Sequence, residues 1–362
     1  MTLRIESNIR DYDVIFEKTL DFLEDFKNIE NSVLIIDRNV YELYKEQFKF
    51  SEPENIFLFD AVEENKTFDY VKVIYDFLIS KAVKRNLTII SIGGGITQDI
   101  TGFVASTLYR GVNWIFVPTT FLAITDSCIG SKTSLNYEKY KNLIGTFYPP
   151  QKIHINTDFL ATLKELDFYS GIGETIKFQL MKEEYPKDFS AVSETIKRAV
   201  NDPEARLEII QDNMRIKLGY MAGDEFDLGR RNMLNYGHCF GHALETSSDY
   251  YVPHGIAVNI GMIFADLLSM NRGLVNEREA DYVNTHILLP NIPLKLRLQD
   301  FDEKVLLESM KNDKKRVGKY LTVIIPDTEF KMIKVDDVSD DEFRETLTQL
   351  KQICLKNEET SV

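Results

Sequence analysis

Through roughly the first 160 residues, short apolar runs rich in β-branched side chains alternate with amphipathic stretches. Residues 32–37 (SVLIID), 87–92 (LTIISI), 114–118 (WIFVP) and 152–155 (KIHI) read as strands. Between the first two, Val71, Ile74, Phe77, Leu78 and Ala82 fall at helical spacing and predict a helix with one buried face. Strands alternating with helices over short connections predict a mostly parallel sheet with covering helices. After that the pattern turns helical, over 170–181, 188–201, 203–222, 231–248, 255–271 and 276–286. One late β-rich run, 321–326 (LTVIIP), is expected as a strand or hairpin among helices, and 357–362 as disordered. The pattern divides the chain into an α/β N-terminal domain, 1–165, and a mainly helical C-terminal domain, 166–362.

Composition narrows the function. Hydrophobic residues make up 44% and charged residues 28% of the 362, ordinary for a globular protein. A net charge of −14 argues against a nucleic-acid or anionic-membrane surface, although an anionic small molecule could still meet positive charge gathered locally. Three widely spaced cysteines, an odd number, argue against a disulfide scaffold and suit a reducing cytoplasm. No signal core and no run of 18 apolar residues is visible.

Four constellations could carry chemistry. Gly93-Gly94-Gly95 follows a strand-like run and precedes Asp99, a place where backbone can approach a pyrophosphate. It is not the G-x-G-x-x-G fingerprint, and a tight turn explains it equally well. Arg231, Asn235, His238 and His242, at steps of four, three and four, are expected on one face of a single helix. Three of the five histidines, His238, His242 and His254, lie within 17 residues, and two imidazoles with one carboxylate make a catalytic-metal set. Glu174 offers that carboxylate, but with Lys177 it also reads as a surface i,i+3 pair. Spacing leaves Glu174, His242 and His254 open as partners of His238. Finally Asp126 and Lys132 (DSCIGSK), Lys141-Asn142 and Lys314-Lys315 could together build an anion site, though each alone reads as a solvated loop.

In chain order, GGGITQDITGFVASTLYRG, VPTTFLAITDSCIGSKT, KNLIGTFYPP, GIGETIK, NYGHCFGHALE and HGIAVNIGM resemble the dehydroquinate synthase family of sugar phosphate cyclases, over about residues 30–330. The resemblance implies an α/β N-terminal nucleotide-binding domain plus a mostly α-helical C-terminal metal-binding domain, in a homodimer. It implies Glu174, His238 and His254 as ligands of a divalent metal, zinc or cobalt, and gives His242 to the substrate phosphate. NAD would be held by Asp37, Asn39, Glu63, Lys66, the turn Gly94-Gly95-Ile96, Asp99, Thr119, Thr120, Lys141 and the 159–162 stretch with Phe159 and Thr162. Phosphate would meet Lys132, Asn142, Asn235, His242 and Lys314, with Arg110 from a second subunit, and the reacting hydroxyls would meet Asp126 and Lys177.

The activity implied is transient oxidation of an alcohol by NAD, elimination of phosphate, re-reduction, and an intramolecular aldol closing a carbocycle. Lys217 and Arg231 match the family's carboxylate-binding pair and favour a heptulosonate phosphate. Relatives that use sedoheptulose 7-phosphate or glucose 6-phosphate are the alternative, and a metal-dependent NAD alcohol dehydrogenase of related fold is another. The chain departs from the family pattern in places. Gln98-Asp99 stands for G-D, Gly130-Ser131-Lys132 for G-G-K, His254-Gly255-Ile256 for H-G-E, and Glu225-Phe226-Asp227-Leu228-Gly229 for E-R-E-G-G.

Overall fold

The computed structural model describes residues 1–138, 140–311 and 320–355, and the chain divides into two compact units, Met1–Leu163 and Lys164–Val362. The first is built on a seven-stranded sheet. Its strands are β1 (Thr2–Ile5), β2 (Tyr12–Phe16), β3 (Ser32–Asp37), β4 (Ile56–Phe59), β5 (Thr88–Gly93), β6 (Asn113–Pro118) and β9 (Lys152–Ile155). The order is β1-β2-β9-β6-β5-β3-β4, all pairs parallel except β1 with β2. β3 and β5 are buried almost throughout, which is why they read as continuous apolar runs rather than alternating ones. A separate antiparallel hairpin joins β7 (Lys132–Tyr137) to β8 (Tyr140–Phe147).

Helices α1 (Arg38–Leu43), α2 (Phe68–Ser80) and α3 (Gly95–Thr107) complete this unit. α2 buries Val71, Ile74 and Leu78 as the spacing predicts. Ala82 is corrected: it lies beyond the helix end, exposed, at φ +51°. From β3 the chain crosses to β4 on one side, then returns past it to β5 and β6 on the other. The carboxyl ends of β3 and β5 therefore form a topological switch point, where α/β sheets bind ligands. Asp37 and Gly93-Gly94 stand there.

The second unit contains α4 (Glu165–Met181), α5 (Phe189–Asn201), α6 (Pro203–Met221), α7 (His238–Ser247), α8 (His254–Asn271), α9 (Glu277–Val283), α10 (Glu303–Lys311) and α11 (Asp340–Cys354). The late β-rich run is a strand, β10 (Leu321–Pro326), paired antiparallel with β11 (Met332–Val338). α8 is its axis: every residue from 255 to 269 is buried, as expected of a helix apolar all round. No described helix is long and apolar enough to cross a membrane.

Predicted helix 231–248 is corrected. Residues Arg230–Asn235 form a separate 3₁₀ turn, and the chain breaks at Gly237, whose φ is +78°. A Cβ there would also lie 2.5 Å from the Val258 carbonyl oxygen on α8. Arg231 and Asn235 consequently do not share a helix face with His238 and His242.

Backbone-to-backbone packing positions the other helices too. A Cβ at Gly173 of α4 would collide with the Gly255 carbonyl oxygen, and one at Gly255 with the Ser170 carbonyl oxygen. The Gly255 amide also donates to Ser170 Oγ at 2.9 Å. Gly255→Ala should therefore lower stability by about 3 kcal/mol or more, seen as a fall in Tm of about 6–12 °C. Gly219→Ala on α6, where nothing lies within 4 Å of an added Cβ, should be neutral or raise Tm slightly. Equal effects of the two would contradict this packing.

Candidate metal centre and nucleotide groups

Three helices deliver the centre of the second unit. Each ligand candidate is next to a glycine that lets its helix approach a neighbour: Gly173-Glu174 on α4, Gly237-His238 at the start of α7, and His254-Gly255 at the start of α8. Metal-ligating atoms of Glu174, His238 and His254 lie within 4.8 Å of one another. Glu174 Oε1 faces His238 Nε2 at 3.4 Å and His254 Nε2 at 3.3 Å. These are longer than good hydrogen bonds, and this buried oxygen has no well-aligned donor. A carboxylate completely shielded from water and facing two imidazole nitrogens fits a cation among them.

The other nitrogens are already committed. His254 Nδ1 lies 3.0 Å from Glu245 Oε2, and His238 Nδ1 lies 3.2 Å from the Tyr236 carbonyl oxygen. With Nδ1 so engaged on each ring, Nε2 is the nitrogen left to a cation beside Glu174, an arrangement in which outer groups fix the ring tautomer of the metal-bound form. Glu245, buried on α7, was not found by spacing; its signal was a glutamate seven residues after His238, on the same helix face.

The Glu174–Lys177 pair is corrected from a surface pair to a buried one: both side chains are at most 2% exposed and 2.5 Å apart. Burial opposes ionisation of Glu174, but Lys177 and the two imidazoles overcome it and hold the carboxyl well below the usual range. Burial, then Lys177, lowers His238. For His254 burial also disfavours the cation, yet Glu245 and Glu174 outweigh it and raise this imidazole to about 10.

His242 lies one turn along α7, its ring centroid 5.4 Å from those of both His238 and His254. With Glu245 and His254 it makes a second group able to hold a cation. This group shares His254, whose Nδ1 is already paired with Glu245 Oε2. Arg231 is buried, its guanidinium donating to the Glu225 carbonyl, and its turn packs on α6, which carries the buried Lys217. Asn235 donates to the Asn232 carbonyl at 2.7 Å.

In the first unit a polar cluster forms between α3, the 63–66 turn and the β7–β8 hairpin. Lys66 Nζ lies 2.5 Å from Asp99 Oδ2 and donates to Asn142 Oδ1 at 2.6 Å. Ser134 Oγ reaches both Asp99 Oδ2, at 2.9 Å, and Asn142 Oδ1, at 2.8 Å. Beside them Asn136 Nδ2 donates to Glu63 Oε1 at 2.8 Å, which Lys141 approaches at 3.7 Å. Ser134 and Asn136 were missed; they alternate on one face of β7, a period-two signal in KTSLN too short to recognise. Asn142, expected with the phosphate groups, sits among the expected NAD residues.

Asp37 caps α1, its Oδ1 accepting from the Asn39 amide at 2.9 Å, and burial raises its carboxyl pKa. Thr119 donates its amide to the Gly93 carbonyl at 2.9 Å, and a Cβ on Gly94 would meet Thr120 Cγ2 at 2.8 Å. The Phe159 side chain belongs to the sheet core, leaving only its backbone for a ligand, while Thr162 Oγ1 bonds Tyr44 Oη at 3.0 Å. Ile96 is half-buried in the first turn of α3, and Asp126 half-buried in a π-helical turn, Ala123–Ser127. Lys132 is exposed at the start of β7 and Arg110 is exposed at φ +63°. Ser131 explains one departure physically: it is left-handed at φ +64°, where glycine is unstrained and serine costs about 1 kcal/mol. Lys314 lies outside the described residues.

Two family descriptions match consecutively, 3-dehydroquinate synthase N-terminal over residues 56–170 and 3-dehydroquinate synthase C-terminal over 171–316. The 3-dehydroquinate synthase of Clostridium tetani is 35% identical over 351 residues, covering 92% of this chain and 91% of the relative. The chain belongs to the 3-dehydroquinate synthase family. The enzyme of that name from Acetivibrio thermocellus is 33% identical, with 90% and 92% covered, and that of Streptococcus pyogenes 33% identical, with 96% and 99% covered. In fold it matches 2-epi-5-epi-valiolone synthase of Streptomyces hygroscopicus, with NAD+ and Zn2+ bound (TM-score 0.84, 24% identity, 97% and 99% covered). It also matches 2-deoxy-scyllo-inosose synthase complexed with carbaglucose-6-phosphate, NAD+ and Co2+ (TM-score 0.82, 24% identity, 96% and 100% covered). A probable glycerol dehydrogenase of Sinorhizobium meliloti shares the fold more loosely (TM-score 0.62, 14% identity, 94% and 96% covered).

A metal binding at His254 Nε2 must displace a proton at any pH below about 10. Calorimetry in buffers of different ionisation enthalpy should therefore show about one proton released per zinc near pH 7. Apparent affinity should fall about tenfold per unit as pH drops below that value. His254→Ala should lose tight metal binding, whereas His242→Ala should retain one equivalent. Loss of the metal from the His242 variant would reverse the assignment.

Proposed function

We propose that this chain is a 3-dehydroquinate synthase, a carbocycle-forming lyase that eliminates phosphate from a carboxylated heptulosonate phosphate using NAD and a divalent metal, zinc or cobalt. The observation that carries the reading is buried Glu174, with buried Lys177 on one side and half-buried His238 and His254 on the other, in a chain related to enzymes of that name over nine-tenths of its length. Bound NAD supplies reversible hydride acceptance, and the metal supplies charge stabilisation at the oxidised oxygen. The chain's own groups bind and orient. The first unit offers Asp37, the Gly94-Gly95 turn, Thr119 and the Lys66–Asp99 cluster to the dinucleotide.

Lys177 and Asp126 would hold the reacting hydroxyls. Lys132, Asn142, Asn235, His242 and Lys314 would hold the phosphate, joined by Arg110 from a second copy in a homodimer. Once the ketone has acidified the neighbouring C–H, its proton would pass to an oxygen of the substrate's own phosphate, the C–H pair would form the new C=C bond, and phosphate would leave with the C–O bond pair. A cofactor that would take up and give back one hydride would leave no net NADH. Buried Lys217 and Arg231 favour the carboxylated substrate over sedoheptulose 7-phosphate or glucose 6-phosphate, because a carboxylate is the anion such cations recognise. Three cysteines that form no disulfide are compatible with a cytoplasmic setting.

With NAD and zinc or cobalt, the protein should release inorganic phosphate from the heptulosonate phosphate without accumulating NADH. Steady NADH formation from a simple alcohol would instead place it with the dehydrogenases. Arg231→Ala should lower kcat/KM for the carboxylated substrate by about 100-fold, the scale of one lost charged hydrogen bond. Faster phosphate release from either sugar phosphate lacking a carboxylate would contradict the substrate assignment.

A further inference from the structure

Gln98 occupies a position that the family pattern fills with glycine, and both ends of its side-chain amide are hydrogen-bonded. It is buried on the first turns of α3, yet it points out of that helix to the Ala123–Ser127 turn. Gln98 Nε2 donates to the Ser127 carbonyl oxygen at 2.7 Å, and Ser127 Oγ donates back to Gln98 Oε1 at 2.7 Å. Two reciprocal bonds close a ring between the two segments. A glycine could make neither.

The clasped segment is short, irregular and chemically loaded. It is a single π-helical turn closed by Cys128 N to the Ala123 carbonyl at 3.0 Å, a form that occurs mostly at functional sites. Asp126 stands one residue before the clasp. Upstream, the same segment is tied to the glycine turn: the Thr119 amide bonds the Gly93 carbonyl, Thr120 packs on Gly94, and Thr120 Oγ1 accepts from Ala123 N at 3.2 Å. Ser127 Oγ itself lies 3.6 Å from where a Cβ on Gly95 would be. The Gln98–Ser127 ring supplies the matching downstream tie. The next residue, Asp99, points the other way to Lys66 and Ser134, so one helical turn anchors segments on both sides.

We infer that Gln98 is a positioning residue for the elimination, acting through Ser127 to hold the Asp126 carboxylate in register with the glycine turn. The role given to Asp126 rests on the function proposed above. Misplacing a reacting group by about 1 Å can cost about 100-fold in rate, so loss of the two bonds at the base of this turn should be read in kcat as well as in stability.

The test joins hydrogen exchange with kinetics on the NAD- and metal-loaded enzyme. Gln98→Ala should speed exchange of the 123–129 amides at least tenfold while leaving β5 and β6 unchanged. It should lower kcat for phosphate release 10–100-fold and change KM for the sugar phosphate less than threefold. Ser127→Ala, which keeps the bond to the carbonyl, should fall between. In an Asp126→Asn background, Gln98→Ala should cost less than threefold more, since the group it positions is gone. Unchanged exchange in Gln98→Ala overturns the clasp whether or not the wild type releases phosphate, which separates this inference from the proposed function. Faster exchange with unaltered kcat, or losses that multiply fully in the double variant, overturns its part in the reaction.

Discussion

Contact between the backbones of α4 and α8 governs the second unit. Gly173 and Gly255 have no side chains, and the helices use that space to touch at Gly255 and Ser170. The ligand candidates are the immediate neighbours of these glycines, Glu174 after one and His254 before the other. Gly237 does the same for α7, turning the chain through a left-handed residue against α8 so that His238 begins the helix. Separate any pair of these helices by the width of a methyl group and the carboxylate no longer meets the imidazoles.

Such packing creates an electrostatic problem that the surrounding residues solve. A carboxylate without solvent is costly unless paired, and removing one member of a buried pair commonly costs about 3–5 kcal/mol. Lys177 neutralises one oxygen of Glu174, while the other faces the two Nε2 atoms. Glu245 and the Tyr236 carbonyl hold the opposite ring edges, which keeps both Nε2 atoms facing Glu174. In the first unit the same economy holds without a metal. Lys66, itself buried, is balanced by Asp99 and further bonded by Asn142, and Ser134 ties the two acceptors together.

Much of this was legible in the chain. Continuous apolar runs revealed β3, β5 and β6 because buried strands leave no polar alternation, while β9 showed as the alternating KIHI. Helix spacing found the outline of α4 through α8. The break at Gly237 was not legible, since steps of four, three and four continue across it and only the approach of α8 requires the positive φ. Burial of Glu174 and Lys177 was hidden for a similar reason: an i,i+3 pair looks alike on a wet face and a dry one. Spacing could not choose between His242 and His254, because helical periodicity sees neighbours on one helix and not a residue brought in by another. The family motifs supplied that choice, and Gln98 shows where departure from them carries information: a residue that breaks the pattern makes two bonds that the pattern could not.

In the proposed function a cation would sit among Glu174, His238 and His254 and not in the adjoining His242, Glu245 and His254 group. An anomalous-difference map at the zinc edge, from crystals of the zinc-loaded protein, measures this directly. One peak within bonding distance of Glu174 and of Nε2 of His238 and His254, with Glu245 still on Nδ1 of His254, is the predicted result. A peak bonded to His242 and Glu245 would contradict it.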